Sequence, residues 1–108
     1  MTLSPDRTEL TADGQDLSYI TVNIVDNKGN LVPTAENKVR FFVEGAGEIA
    51  AVGNGDSASL ASFKTDHRRA FSGQAMLIVK TLKGKAGQIK VRAYSDRLAE
   101  QQVILNAN

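Results

Sequence analysis

The sequence contains no cysteine, no tryptophan, one histidine, two prolines and nine glycines in 108 residues. Without cysteine there is no disulfide, no thiolate metal ligand and no cysteine nucleophile. One histidine on top of that leaves no typical zinc cluster. The glycine and proline content is too low for a fibrous repeat. With 42% hydrophobic and 23% charged residues, the chain is also too apolar for intrinsic disorder. No charge of one sign dominates: thirteen Lys+Arg stand against twelve Asp+Glu, a net +1. No overall field therefore draws the protein onto nucleic acid or anionic lipid. No apolar run approaches the roughly 20 residues of a membrane helix. Met1 to Asp6 shows no basic segment followed by an apolar stretch. The expectation is a globular chain with no nucleic-acid partner and no membrane insertion, either cytosolic or an excised piece of a longer protein. Missing disulfides leave the compartment open, because a domain with an adequate core is exported without them.

What is present is a period of two. Ile20, Val22 and Ile24 alternate with Tyr19, Thr21 and Asn23. Val39, Phe41 and Val43 alternate with Arg40, Phe42 and Glu44, and Ile89, Val91 and Ala93 with Lys90, Arg92 and Tyr94. Each segment has one apolar and one mainly polar face, the pattern of a half-buried strand. Ala75 to Lys80 is apolar at almost every position, as a central strand would be, and Gln102 to Leu105 reads as a closing strand. No segment shows a helical period. Between the strands stand turn signals: Asp13-Gly14, Asp26 to Asn30, Pro33, Gly45 to Gly47, Gly53 to Asp56, Ser72-Gly73 and Gly84 to Gly87. Short strands at this spacing predict one all-β domain over residues 1–108, an antiparallel β-sandwich of about seven to eight strands. Its predicted core is Ile20, Val22, Ile24, Val39, Phe41, Val43, Leu77, Val79, Ile89 and Val91. The Ser- and Ala-rich stretch 56–64 has no firm period and reads as a long connection between sheets.

The chemical motifs fail their own mechanical requirements. Gly45-Ala46-Gly47-Glu48-Ile49-Ala50 matches G-x-G-x-x-A, but the next residues, Val52-Gly53-Asn54-Gly55, would stop the helix that a dinucleotide site needs. A glycine bend at a strand end fits better. His67 is the only base available to a Ser-His-Asp arrangement. It is followed by Arg68 and Arg69, and the chain has no G-x-S-x-G elbow. Asp13, Asp16 and Asp26 sit in turn contexts, where aspartates bond to their own backbone. Asp26 to Asn30 lacks the calcium-loop spacing. The basic residues Lys80, Lys83, Lys85, Lys90 and Arg92 have only Tyr94 nearby, too little stacking surface for a single-stranded nucleic acid. Charge is uneven along the chain. Residues 1–62 hold four Lys/Arg and nine Asp/Glu, whereas 63–108 hold nine and three. No catalytic, cofactor-binding or metal-binding residue is assigned, and no cofactor is expected.

The aromatics are more informative. Phe41 belongs to the inward set, Phe63 and Phe71 border the long connection, and Tyr19, Phe42 and Tyr94 fall at outward parity. A large apolar ring such as Phe42 on an outer face usually covers something. Three occupants fit: a neighbouring domain, a sugar, or a further layer of this chain. The expected contact surface is Phe42 with the Asp56 to Phe71 region, in particular Asp56, Phe63, Lys64 and Phe71.

Ala12-Asp13-Gly14, Ile20-x-Val22-x-Ile24-x-Asp26, Gly29, Val32-Pro33-x-Ala35, Val39-x-Phe41-x-Val43 and Gly45-x-Gly47 together resemble the bacterial Ig-like domains of the invasin and intimin type. That resemblance implies an immunoglobulin-like sandwich. More narrowly, Gly53 to Asp56, Ser62-Phe63-Lys64, Arg69-Ala70-Phe71, Gly73, Ala75, Ile78-Val79 and Gly84 to Gly87 look like the C-terminal Ig-like domain of glycoside hydrolase family 2 β-galactosidases. Ser57, Ala61 and Ser72-Gly73-Gln74 depart from that family's pattern within the block. In this family the catalytic glutamates lie on a separate barrel domain, so no catalytic residue carries over. The resemblance implies a non-catalytic accessory module of a periplasmic or secreted bacterial hydrolase, whose partners are the other domains of its own chain. An adhesin-type or glycan-binding module is the alternative.

Overall fold

The computed structural model describes residues 1–26, 28–32, 38–54, 67–70, 73–95 and 98–108. Among these, the chain forms β1 (Thr2–Pro5), β2 (Glu9–Leu10), β3 (Leu17–Asn23), β4 (Lys38–Gly45), β5 (Gly47–Asn54), β6 (His67–Arg69), β7 (Gln74–Thr81), β8 (Gly87–Tyr94) and β9 (Gln101–Ala107), with no helix. They make two sheets, β1-β3-β7-β5 and β2-β9-β8-β4-β6. Seven of the nine are strands of four residues or more, and β2 and β6 are fragments of two and three. The all-β sandwich expectation is met.

Alternation sets the core. The inward positions Ile20, Val22, Ile24, Val39, Phe41, Leu77, Val79, Ile89 and Val91 are all buried, with Leu105 and Ala107 closing the layer from β9. Val43 departs from the expected set. It holds the same parity but is only half-buried, packed against the rim of the cluster where β4 runs out toward Gly45. β7, apolar on both parities, lies between β3 and β5 as a central strand, with registers Ile20↔Leu77 and Val52↔Leu77.

One short pairing within this antiparallel sandwich is parallel. β2 pairs parallel to β9 through Glu9↔Asn106 and Leu10↔Ala107. The N-terminal segment changes sheets: β1 pairs with β3 in one sheet, then the chain crosses after Pro5 and joins the other. The crossing is held by side chains. Tyr19 N–H donates to Asp6 Oδ1 at 2.8 Å, and Ser18 Oγ, fully buried, donates to the Arg7 carbonyl at 2.7 Å. Arg7 spans both oxygens of Asp16, its Nη2 at 2.9 Å from Oδ2, while Thr11 N–H donates to Oδ2 at 2.8 Å. Asp13 and Asp26 close their own turns as expected, Asp13 accepting from Gln15 and Asp16 and Asp26 from Lys28 and Asn30. Asp16 instead ties two segments together.

The Arg7 hydrogen bond, with that of Thr11, holds the Asp16 carboxyl below the ordinary carboxylate range. A depressed folded-state value makes this clamp fully stabilising above the unfolded value, about 4, and the contribution disappears as pH falls through the folded value. Melting temperature should therefore fall on acidification below about pH 4. Asp16→Asn should be less stable at neutral pH and lose part of that acid dependence, which thermal melts across a pH series would check.

Candidate contact surface on the five-stranded sheet

β4, β8 and β9 present their second parity on the outer face of the five-stranded sheet. The registers Arg40↔Tyr94, Phe42↔Arg92 and Glu44↔Lys90, then Lys90↔Ile104 and Arg92↔Gln102, place these side chains in one array. At its centre Phe42 and Tyr94 stack, with centroids 5.1 Å apart and planes 10° from parallel. Offset stacking at this spacing is a favourable aromatic arrangement. The Arg92 guanidinium carbon lies 5.8 Å from the centre of the Phe42 ring, within cation–π range. Arg92 is anchored in turn by Glu44, 2.6 Å away, with Glu100 at 3.9 Å.

This arrangement changes the reading of Phe42. The ring is at outward parity, as the alternation predicts, but it is half-buried beneath Tyr94 and Arg92. Tyr94, 36% exposed, is the aromatic that this face presents to the outside. Outward parity was legible for both rings, whereas the diagonal register that stacks them was not. Of the other expected contact residues, Asp56, Phe63, Lys64 and Phe71 lie outside the described residues.

Beside the stack, Lys38, Arg40, Tyr94 and Ser95 line an open cleft of about 360 Å³. Ser95 Oγ donates to the Lys38 carbonyl at 2.6 Å, joining the end of β8 to the start of β4 and fixing that corner. The opposite sheet's outer face carries Tyr19 and Met76, 41% and 37% exposed. Gly45-Ala46-Gly47 is a bend between β4 and β5, and the residues after it form a strand, so the glycine pattern has no helix to place against a phosphate. No group of three or more His, Cys, Asp or Glu side chains gathers as a metal site among the described residues. None of the described elements is a helix long and apolar enough to cross a membrane.

The sequence profile of glycoside hydrolase family 2 C-terminal domain 5 matches residues 1–104. The chain belongs to that family. As a C-terminal domain 5 it is 44% identical over 105 residues to the β-galactosidase BoGH2A of Bacteroides ovatus, covering 97% of this chain and 12% of that one. A solved family 2 glycosyl hydrolase of Bacteroides cellulosilyticus contains a similar domain, with TM-score 0.92 and 39% identity, over 99% of this chain and 14% of that one. The C-terminal fragment of intimin, solved with its receptor domain, superposes with TM-score 0.68 at 16% identity, over 99% of this chain and 32% of that one. That likeness establishes the immunoglobulin-like fold alone. The C-terminal domain 5 spans about an eighth of the curated relative it matches.

Proposed function

We propose that this chain is a single, non-catalytic accessory domain of a β-galactosidase-type hydrolase, and that it docks on the rest of its polypeptide through the Phe42–Tyr94 face. The observation that carries this reading is the stack itself. Two parallel aromatic rings and an arginine are assembled on the solvent side of a sheet whose core is already closed on its other side. Aromatic and arginine side chains are the usual anchors of protein interfaces, and surfaces between domains of one chain are small enough, about 600–1,500 Å², for one such cluster to dominate. The family membership supports a partner within the same chain, since the matched region is a small part of a long β-galactosidase relative. In this reading substrate turnover resides elsewhere in that chain, and the domain supports the enzyme mechanically. A periplasmic or secreted location goes with the proposal and rests on the family resemblance.

The test compares the full-length enzyme with its Phe42→Ser variant. Docking predicts roughly tenfold faster protease cleavage at the domain boundary, the size of effect expected for an aromatic anchor, while the isolated domain loses only the internal stack with Tyr94, about 0.5 to 1.5 kcal/mol. Identical cleavage of the two full-length proteins, together with saturable binding of a neutral galacto-oligosaccharide at Tyr94 in an NMR titration, would replace docking by the glycan-binding alternative.

A further inference from the structure

The charge on the docking face is not evenly neutralised. Its outward positions include Lys38, Arg40, Lys90 and Arg92 against Glu44, with Glu100 at the margin. Both acids are engaged by Arg92. Among the described residues, no carboxylate pairs with Lys38 or Arg40. These two cations are i and i+2 on β4, so they share a face, and they form one side of the 360 Å³ cleft whose other side is Tyr94 and Ser95. The walls are held in place, Tyr94 by its stack on Phe42 and Ser95 by its bond to the Lys38 carbonyl. The result is a corner with two positive side chains, one aromatic wall and, among the described residues, no anion lining it.

We propose that this cleft receives a carboxylate side chain from an acidic segment of the parent hydrolase chain, beside the aromatic stack. The inference rests on the docking reading and names what the partner surface must carry. An aspartate or glutamate entering between Lys38 and Arg40 would have two charge-assisted donors, with guanidinium offering a fork that fits a carboxylate. The Tyr94 ring would shield the pair from water on one side. Such complementarity governs register and salt dependence more than total affinity, so the aromatic stack anchors the domain while the cleft orients it.

The experiment measures protease cleavage at the domain boundary of the full-length enzyme between 20 mM and 500 mM NaCl. Three proteins are compared: the wild type, the Lys38→Gln/Arg40→Gln double variant and Phe42→Ser. The proposal predicts that wild-type cleavage accelerates with salt, as screening weakens the ion pairs. The double variant should be cleaved roughly five- to tenfold faster than wild type at low salt and show little further salt dependence. A Lys38→Arg/Arg40→Lys exchange, which keeps both charges, should stay within about twofold of wild type and separates charge from any folding defect. If wild type is insensitive to salt and the double variant matches it while Phe42→Ser is still cleaved faster, the acidic partner is overturned and docking stands. If neither variant differs from wild type, docking falls and the acidic partner with it. Sodium glucuronate should leave the Tyr94 resonances of the isolated wild-type domain unshifted in an NMR titration. Saturable glucuronate binding to wild type alone, with unchanged cleavage, would assign the cleft to an anionic sugar and overturn the proposal.

Discussion

Phe41→Ala should lose about 3 to 5 kcal/mol of unfolding free energy, the range for removing a buried phenylalanine from a packed core. Phe41 is the largest of the fully buried side chains, 1% exposed, on a strand that is hydrogen-bonded to β8 on one side and β6 on the other. Its loss would leave a void between sheets that interior strands cannot readily close, because their register is set by ladders on both edges. A domain of this size has about 5 to 15 kcal/mol in total, so the variant should be close to unfolding at physiological temperature. Urea denaturation followed by circular dichroism would measure it. A loss below about 1 kcal/mol would mean that the ring is not a core residue.

Gly45→Ala should be comparably damaging for a different reason. Gly45 ends β4 with φ +96°, a conformation that L side chains rarely adopt, and an added Cβ would stand 2.2 Å from the Gln88 carbonyl oxygen of the neighbouring strand. That oxygen also accepts the Ala46 N–H at 3.1 Å, so it cannot retreat without opening the bend that leads from one sheet to the other. Backbone strain of this kind costs about 1 to 3 kcal/mol, and the overlap adds to it, giving about 3 kcal/mol or more. Gly29→Ala is the control: its φ is +81°, but an added Cβ would meet nothing within 4 Å. That substitution should cost only the conformational part, about 1 to 2 kcal/mol. Equal losses in the two variants would show that the Gln88 contact is not decisive.

The elements legible in the sequence are those whose alternation is uninterrupted. β3, β4 and β8 each carry two or more inward Ile, Val or Phe residues in strict alternation, Ile20 and Val22, Val39 and Phe41, and Ile89 and Val91, and their parity is the one observed. β5 escaped because it is short in bulky residues, Gly47-Glu48-Ile49-Ala50-Ala51-Val52, and because a register shift between Ile49 and Ala51 breaks its period. β1, β2 and β6 are too short for a period, and the parallel pairing of β2 with β9 depends on a sheet crossing that no local pattern encodes. The same holds for the contact surface. Outward parity singled out Phe42 and Tyr94, but their stack, the Arg92 guanidinium near Phe42 and the Arg7–Asp16 clamp come from strand register and chain crossing, which join residues far apart in sequence. The aspartate turns were legible because their hydrogen bonds are local.

Hydroxyl-radical footprinting of Tyr94 tests the central claim most directly, with the 108-residue domain alone compared with the same domain inside its full-length enzyme. Tyr94 is exposed on the docking face and Tyr19 on the opposite sheet, so one ring reports the contact and the other calibrates the dose. The docking account predicts that Tyr94 oxidation falls severalfold in the full-length enzyme while Tyr19 is unchanged. Equal oxidation of Tyr94 in the two proteins would contradict it.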